Sequence, residues 1–61
     1  MSITAKEHHI LASLSAGLTS KQIATLIGID EPSVNRVITK LMKEFRAKNR
    51  THLAVKYQQS R

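Results

Sequence analysis

The sequence predicts an all-α domain of four short helices packed as a bundle, and three observations lead there. Two capping-box patterns, Thr4-Ala5-Lys6-Glu7 and Thr19-Ser20-Lys21-Gln22, mark helix starts. In such a box the threonine accepts from a first-turn amide while the residue three positions on reaches back to the cap. Gly17 and Gly28 stand where the segments so opened should stop, supplying the left-handed residue common at helix ends. Between these signals the apolar residues recur every three or four positions, the period of a helix with one buried side.

The first helix is expected at about residues 5–16, with Ile10, Leu11 and Leu14 on its inner face. The second opens at the Thr19 box, where Leu18 and Ile23 occupy the two positions of a hydrophobic staple, and Gly28 closes it after two turns. Asp30 is the expected cap of the third helix, with Ile29 and Val34 as a further staple. Pro32 falls in its first turn, where a missing amide costs little. That helix runs to about Arg46. On a wheel of 100° per residue Val34, Val37, Ile38, Leu41 and Phe45 share one side and Arg36, Thr39, Lys40 and Lys43 the other. Asn49 is placed to cap a fourth helix, in which Leu53, Ala54 and Tyr57 form one face and His52, Val55, Lys56 and Gln59 the other.

Size and charge narrow the function. A chain of 61 residues makes one domain, and a domain so small buries only about 60% of the surface its unfolded chain exposes, too little for a deep catalytic cleft. Cysteine is absent, so helix packing alone must hold the core. The net charge of +6 is concentrated between Arg36 and Arg50, where Lys40, Lys43, Arg46 and Lys48 add to the two end residues against a single acid, Glu44. Such a field favours a densely anionic partner. No apolar run has the length of a membrane span and the start does not read as a signal peptide, so a cytoplasmic location away from the membrane is expected. No nucleophile with its base, paired carboxylate or phosphate-binding glycine loop is present, and an enzyme is not expected. His8 and His9 are adjacent and point about 100° apart on a helix, so they read as surface residues rather than metal ligands. No cofactor is implied. Glu7 is expected to pair with Arg50 across the first and fourth helices.

The second and third helices carry the requirements of a helix-turn-helix over about residues 20–46. They have small Ala24 at the crossing, Gly28 in the turn, and apolar Ile23, Ile27, Ile29, Val34 and Val37 facing inward. The stretch Ala16-Gly17-Leu18-Thr19-Ser20-Lys21-Gln22-Ile23-Ala24 resembles the second-helix signature of the LuxR/GerE-type helix-turn-helix domain. Ile3-Thr4 with Lys6-Glu7, Ile29 with Ser33-Val34, and Asn49-Arg50-Thr51 with Leu53-Ala54-Val55 extend the resemblance over nearly the whole chain. Members usually carry lysine and histidine where Asn35 and Val37 stand, and glycine in place of Arg46. The resemblance implies a transcriptional regulator acting on double-stranded DNA, either free-standing or excised from a larger protein.

A helix fits the major groove, where polar side chains read base edges and cations meet flanking phosphates. By family position and wheel angle Asn35, Arg36 and Thr39 are the expected base readers, Asn35 suited to a bidentate pair with adenine and Arg36 to one with guanine. Ser33, Lys40 and Lys43 are expected on the phosphates. Ser20 and Lys21 join them from the start of the second helix, whose free amides and dipole attract an anion. Arg46 and Lys48 add nonspecific attraction. The resemblance further implies homodimerisation through the fourth helix, with Val55, His52 and Gln59 at the seam, setting two recognition helices about 34–36 Å apart. Two rivals remain at this stage. One is a module resembling sigma-factor region 4, with RNA polymerase as partner; the other is an interaction protein that heterodimerises with a larger regulator.

Overall fold

The structure, a computed structural model, describes residues 3–59. It contains α1 (Ala5–Ser15), α2 (Ser20–Ile27), α3 (Glu31–Phe45) and α4 (Arg50–Gln59), with no strand among the described residues. Both capping boxes form. Thr4 Oγ1 accepts from the Glu7 amide at 3.1 Å and Glu7 Oε1 from the Thr4 amide at 3.0 Å. Thr19 and Gln22 repeat the exchange at 3.2 and 2.9 Å.

The third helix starts differently from expectation. Asp30 has the extended backbone of a cap, yet its side chain makes no cap hydrogen bond; Oδ1 accepts instead from the Ser33 hydroxyl at 2.5 Å. A capping side chain serves the second or third amide of the helix. Pro32 removes the second, and the hydroxyl of Ser33 takes the carboxylate at the third. Asn49 does cap α4, its Oδ1 accepting from the His52 amide at 2.8 Å. His52 Nδ1 accepts in turn from the Lys48 amide at 3.0 Å.

The core draws on every helix: Ile10 and Leu11 of α1, Ile23 and Ala24 of α2, Val34, Ile38 and Leu41 of α3, and Leu53 and Tyr57 of α4 are all buried. Leu14, Leu18, Ile27, Ile29, Val37 and Phe45 pack against them half-buried. The inner face expected for α3 is thus its observed one. α1 packs chiefly on α4 and α2 chiefly on α3, with α4 also touching α3.

One charged residue shares this interior. Glu7 falls at helical spacing with Ile10, Leu11 and Leu14, so it is carried inward to 8% exposure. Its partner is not Arg50 as expected: Lys40 Nζ reaches across from α3 to Glu7 Oε2 at 2.8 Å. The inward face of α1 meets α3 at that point, and the Arg50 guanidinium is engaged with Ser20 and Asn35.

Candidate nucleic-acid interface

The outer face of α3 is set by elementary spacing. Arg36, Thr39 and Lys43 follow one another at intervals of three and four, directly opposite Val34, Ile38 and Leu41, and burying one stripe exposes the other. All three are exposed, and with Pro32, half-buried Asn35 and Lys40 they line a shallow, open depression. All three expected base readers therefore lie together on one surface, with two of the expected phosphate-contact lysines beside them.

The two lysines differ in what they hold. Lys40 donates to Glu7 and lies 3.9 Å from Glu44 Oε2, one turn along. Its ammonium and the Thr4 amide hold the Glu7 carboxyl below the usual carboxylate value, and Glu7 in return raises Lys40 above the usual lysine value. Lys43 makes no ion pair with any described residue. Its charge is left to solvent or a ligand. Ser33, expected on a phosphate, donates its hydroxyl proton to Asp30, and that bond is the main cause that lowers the Asp30 carboxyl below its ordinary value.

At the start of α2 Lys21 is exposed, whereas Ser20 is buried and accepts from Arg50. The same guanidinium donates through its other terminal nitrogen to Asn35 Oδ1, so one side chain of α4 joins α2 and α3. Further along α4, Val55 is 43% exposed and Gln59 is exposed. Val55 borders a shallow groove whose other walls include Leu14, Ala54 and Gln58. His52, expected beside it, is half-buried and occupied with the Lys48 amide.

Residues 1–57 match the family described as GerE, bacterial regulatory proteins, luxR family. The chain belongs to the LuxR family. It is also 32% identical over 53 residues to a protein of Guillardia theta named "Probable transcriptional regulator ycf29", a match covering 87% of this chain. The chain spans about a quarter of that relative's length, 26%. No solved structure matches it. The family is one of DNA-binding regulators, and α2 and α3 span the residues where the sequence places its helix-turn-helix. Among the described residues no helix is long and apolar enough to cross a membrane.

Within the LuxR frame the departures have structural counterparts. Arg46, where glycine is usual, keeps a left-handed backbone at φ +57°. Asn35, where lysine is usual, is tied to Arg50. The sequence reading missed this link, the Glu7–Lys40 pair and a contact between α1 and α4. In that contact His8 Nδ1 lies 2.6 Å from the Tyr57 hydroxyl and the rings meet edge to face. Only Glu7 carried a signal, its place on the apolar stripe of α1.

Proposed function

We propose that this domain binds double-stranded DNA sequence-specifically as a transcriptional regulator, with α3 in the major groove. The observation that carries the reading is the exposed stripe of Arg36, Thr39 and Lys43 on the second helix of the motif, opposite its buried face. Arg36, Thr39 and Asn35 are the base readers. Lys43 and Lys21 are the principal phosphate contacts, Ser20, Ser33 and Lys40 being those whose polar atoms already serve the fold. Two copies pair through α4, with Val55 and Gln59 at the seam and His52 at its margin.

Selection of sites from random duplexes, followed by footprinting, tests the reading directly; failure to enrich any sequence rejects it. Lys43→Ala should weaken specific and random duplexes alike and lower the slope of log affinity against log salt by about 0.9, the value of one phosphate contact. An unchanged slope removes Lys43 from the interface. Val55→Glu should preserve the helical circular dichroism spectrum but abolish the advantage of a paired site over a single half-site, because two carboxylates would meet across the two-fold axis. Paired-site binding that survives the change rejects α4 as the seam.

A second reading concerns RNA polymerase. Leu26 of α2 is 59% exposed, and with Leu18 and Thr25 it makes a mainly apolar surface edged by Lys21 and Gln22. This patch is suited to a protein partner once α3 is in the groove. Leu26→Ser should lower transcription from a bound promoter while leaving promoter affinity intact; a parallel loss of both rejects it.

A further inference from the structure

We infer that Arg50 is a specificity-determining positioning residue, which turns the Asn35 amide so that this side chain offers DNA a hydrogen-bond donor. The inference rests on the DNA-binding reading above and sharpens it. A guanidinium has five N–H donors and no acceptor, so the Asn35 atom that faces it is necessarily Oδ1, as observed. The amide nitrogen is then the end left to the depression that Asn35 lines with Arg36 and Thr39. A bidentate pair with adenine needs oxygen and nitrogen both turned to the base, and here the oxygen is turned to Arg50. What remains is an NH2 group, matched by the adjacent acceptors O6 and N7 of guanine or by O4 of thymine, whereas adenine offers N7 alone beside an N6 amino group that opposes a second donor.

The fork is anchored at its other prong. Arg50 donates to Ser20 Oγ, which is buried at the start of α2. The guanidinium is therefore held between a fixed residue of the first motif helix and a reader on the second. Two donors in one rigid plane suit this task, which a lysine ammonium at the end of a flexible stem does not reproduce. Arg50 itself is exposed, so the fork contributes more to the orientation of Asn35 than to the stability of the bundle.

The test compares selected sites for the unmodified domain, Asn35→Ala, Arg50→Lys, their double variant and Asn35→Asp, with thermal melts and salt slopes for each. Asn35→Ala should erase preference at one position of the half-site, and in the unmodified domain that position should hold guanine or thymine. Arg50→Lys should relax the same position roughly tenfold, with melt and salt slope kept, and should add nothing to Asn35→Ala. Asn35→Asp keeps the acceptor towards Arg50 but replaces the outward NH2 by oxygen, and should move the preference to the amino edge of cytosine or adenine. Adenine at that position in the unmodified domain overturns the inference. An Arg50→Lys loss spread evenly over all positions does so too, as does an Asn35→Asp preference that does not move. Without DNA, the Asn35 side-chain NH2 resonances should shift in Arg50→Lys, and unmoved resonances overturn the orienting contact itself. If the unmodified domain shows no salt-dependent duplex binding, the DNA reading falls and the base-reading role with it, even where the resonances shift.

Discussion

The two turns that flank α3 follow the same backbone path with different residues at the critical position. Before α3, Gly28 has φ +85°, and the Ala24 carbonyl accepts from the Gly28 and Ile29 amides at 2.9 and 3.1 Å. After it, Arg46 has φ +57°, the Met42 carbonyl accepts from the Ala47 amide at 2.8 Å and the Lys43 carbonyl from the Arg46 amide at 3.3 Å. Both close the last carbonyls of a helix through a left-handed residue. A side chain with a Cβ costs roughly 1–2 kcal/mol in that conformation, and glycine avoids the cost. The demand for the geometry therefore comes from the carbonyls and from the direction of the next helix, and the residue type only sets how much stability is given up. At Arg46 the next segment is fixed independently by half-buried Ala47 and by the Asn49 and His52 hydrogen bonds. The strained arginine is thereby retained, with its charge inside the basic stretch.

The largest expected effect that tests this contrast is Gly28→Val. Nothing lies within 4 Å of a Cβ built there, so backbone strain is the leading cost. Thermal or denaturant unfolding should show a loss of about 2 kcal/mol, a β-branched residue being least tolerant of positive φ. A loss near zero would mean that the turn relaxes and that its left-handed residue is dispensable.

Next come the helix starts beside the turns. Thr19→Ala removes a complete capping box and should cost about 1 kcal/mol. Asp30→Ala, at a cap position with no bond to an amide, should cost clearly less. Equal losses in the same unfolding assay would show that the Asp30 carboxylate acts on the helix end through its charge.

Arg46→Gly is the converse of the first change. Relief of strain should stabilise the domain, reduced by the greater freedom of glycine in the unfolded chain, for a net gain of roughly 0.5–1 kcal/mol. A destabilised variant would assign the Arg46 side chain a packing role that outweighs its backbone strain.

The smallest expected effect is acidic and local. The Asp30 pKa is depressed, chiefly by the Ser33 hydroxyl, so its contribution to stability is present above the ordinary aspartate range and is lost as pH falls through the depressed value. An NMR titration should show the Asp30 side of α3 responding while the Arg46 turn, closed by backbone bonds, holds. Ser33→Ala should raise the Asp30 midpoint towards its ordinary value; an unmoved midpoint assigns the depression to another neighbour.

Much of the fold was legible from sequence for a definite reason. Capping boxes, staples and left-handed stops act over three to five residues, and the period of Ile10, Leu11, Val34, Ile38 and Leu41 is a property of a single helix. Four helices and their inward faces follow from such local terms, and so do the outward positions of Arg36, Thr39 and Lys43. The limit of that logic shows within one turn at Asp30, where a proline and a serine hydroxyl redirected a sound capping residue.

Which polar groups meet could not be read in the same way. Glu7 and Lys40 are 33 residues apart, Arg50 and Ser20 are 30, and Arg50 and Asn35 are 15. A long side chain chooses among all the partners that the packed helices bring within its reach, and burial decides which charge most needs one. The sequence by itself determined four helices, one basic face and the family. Only the packing of α1 and α4 against α2 and α3 decided that Lys40 serves Glu7, that Lys43 has no ion-pair partner among the described residues, and that Arg50 holds the oxygen of Asn35.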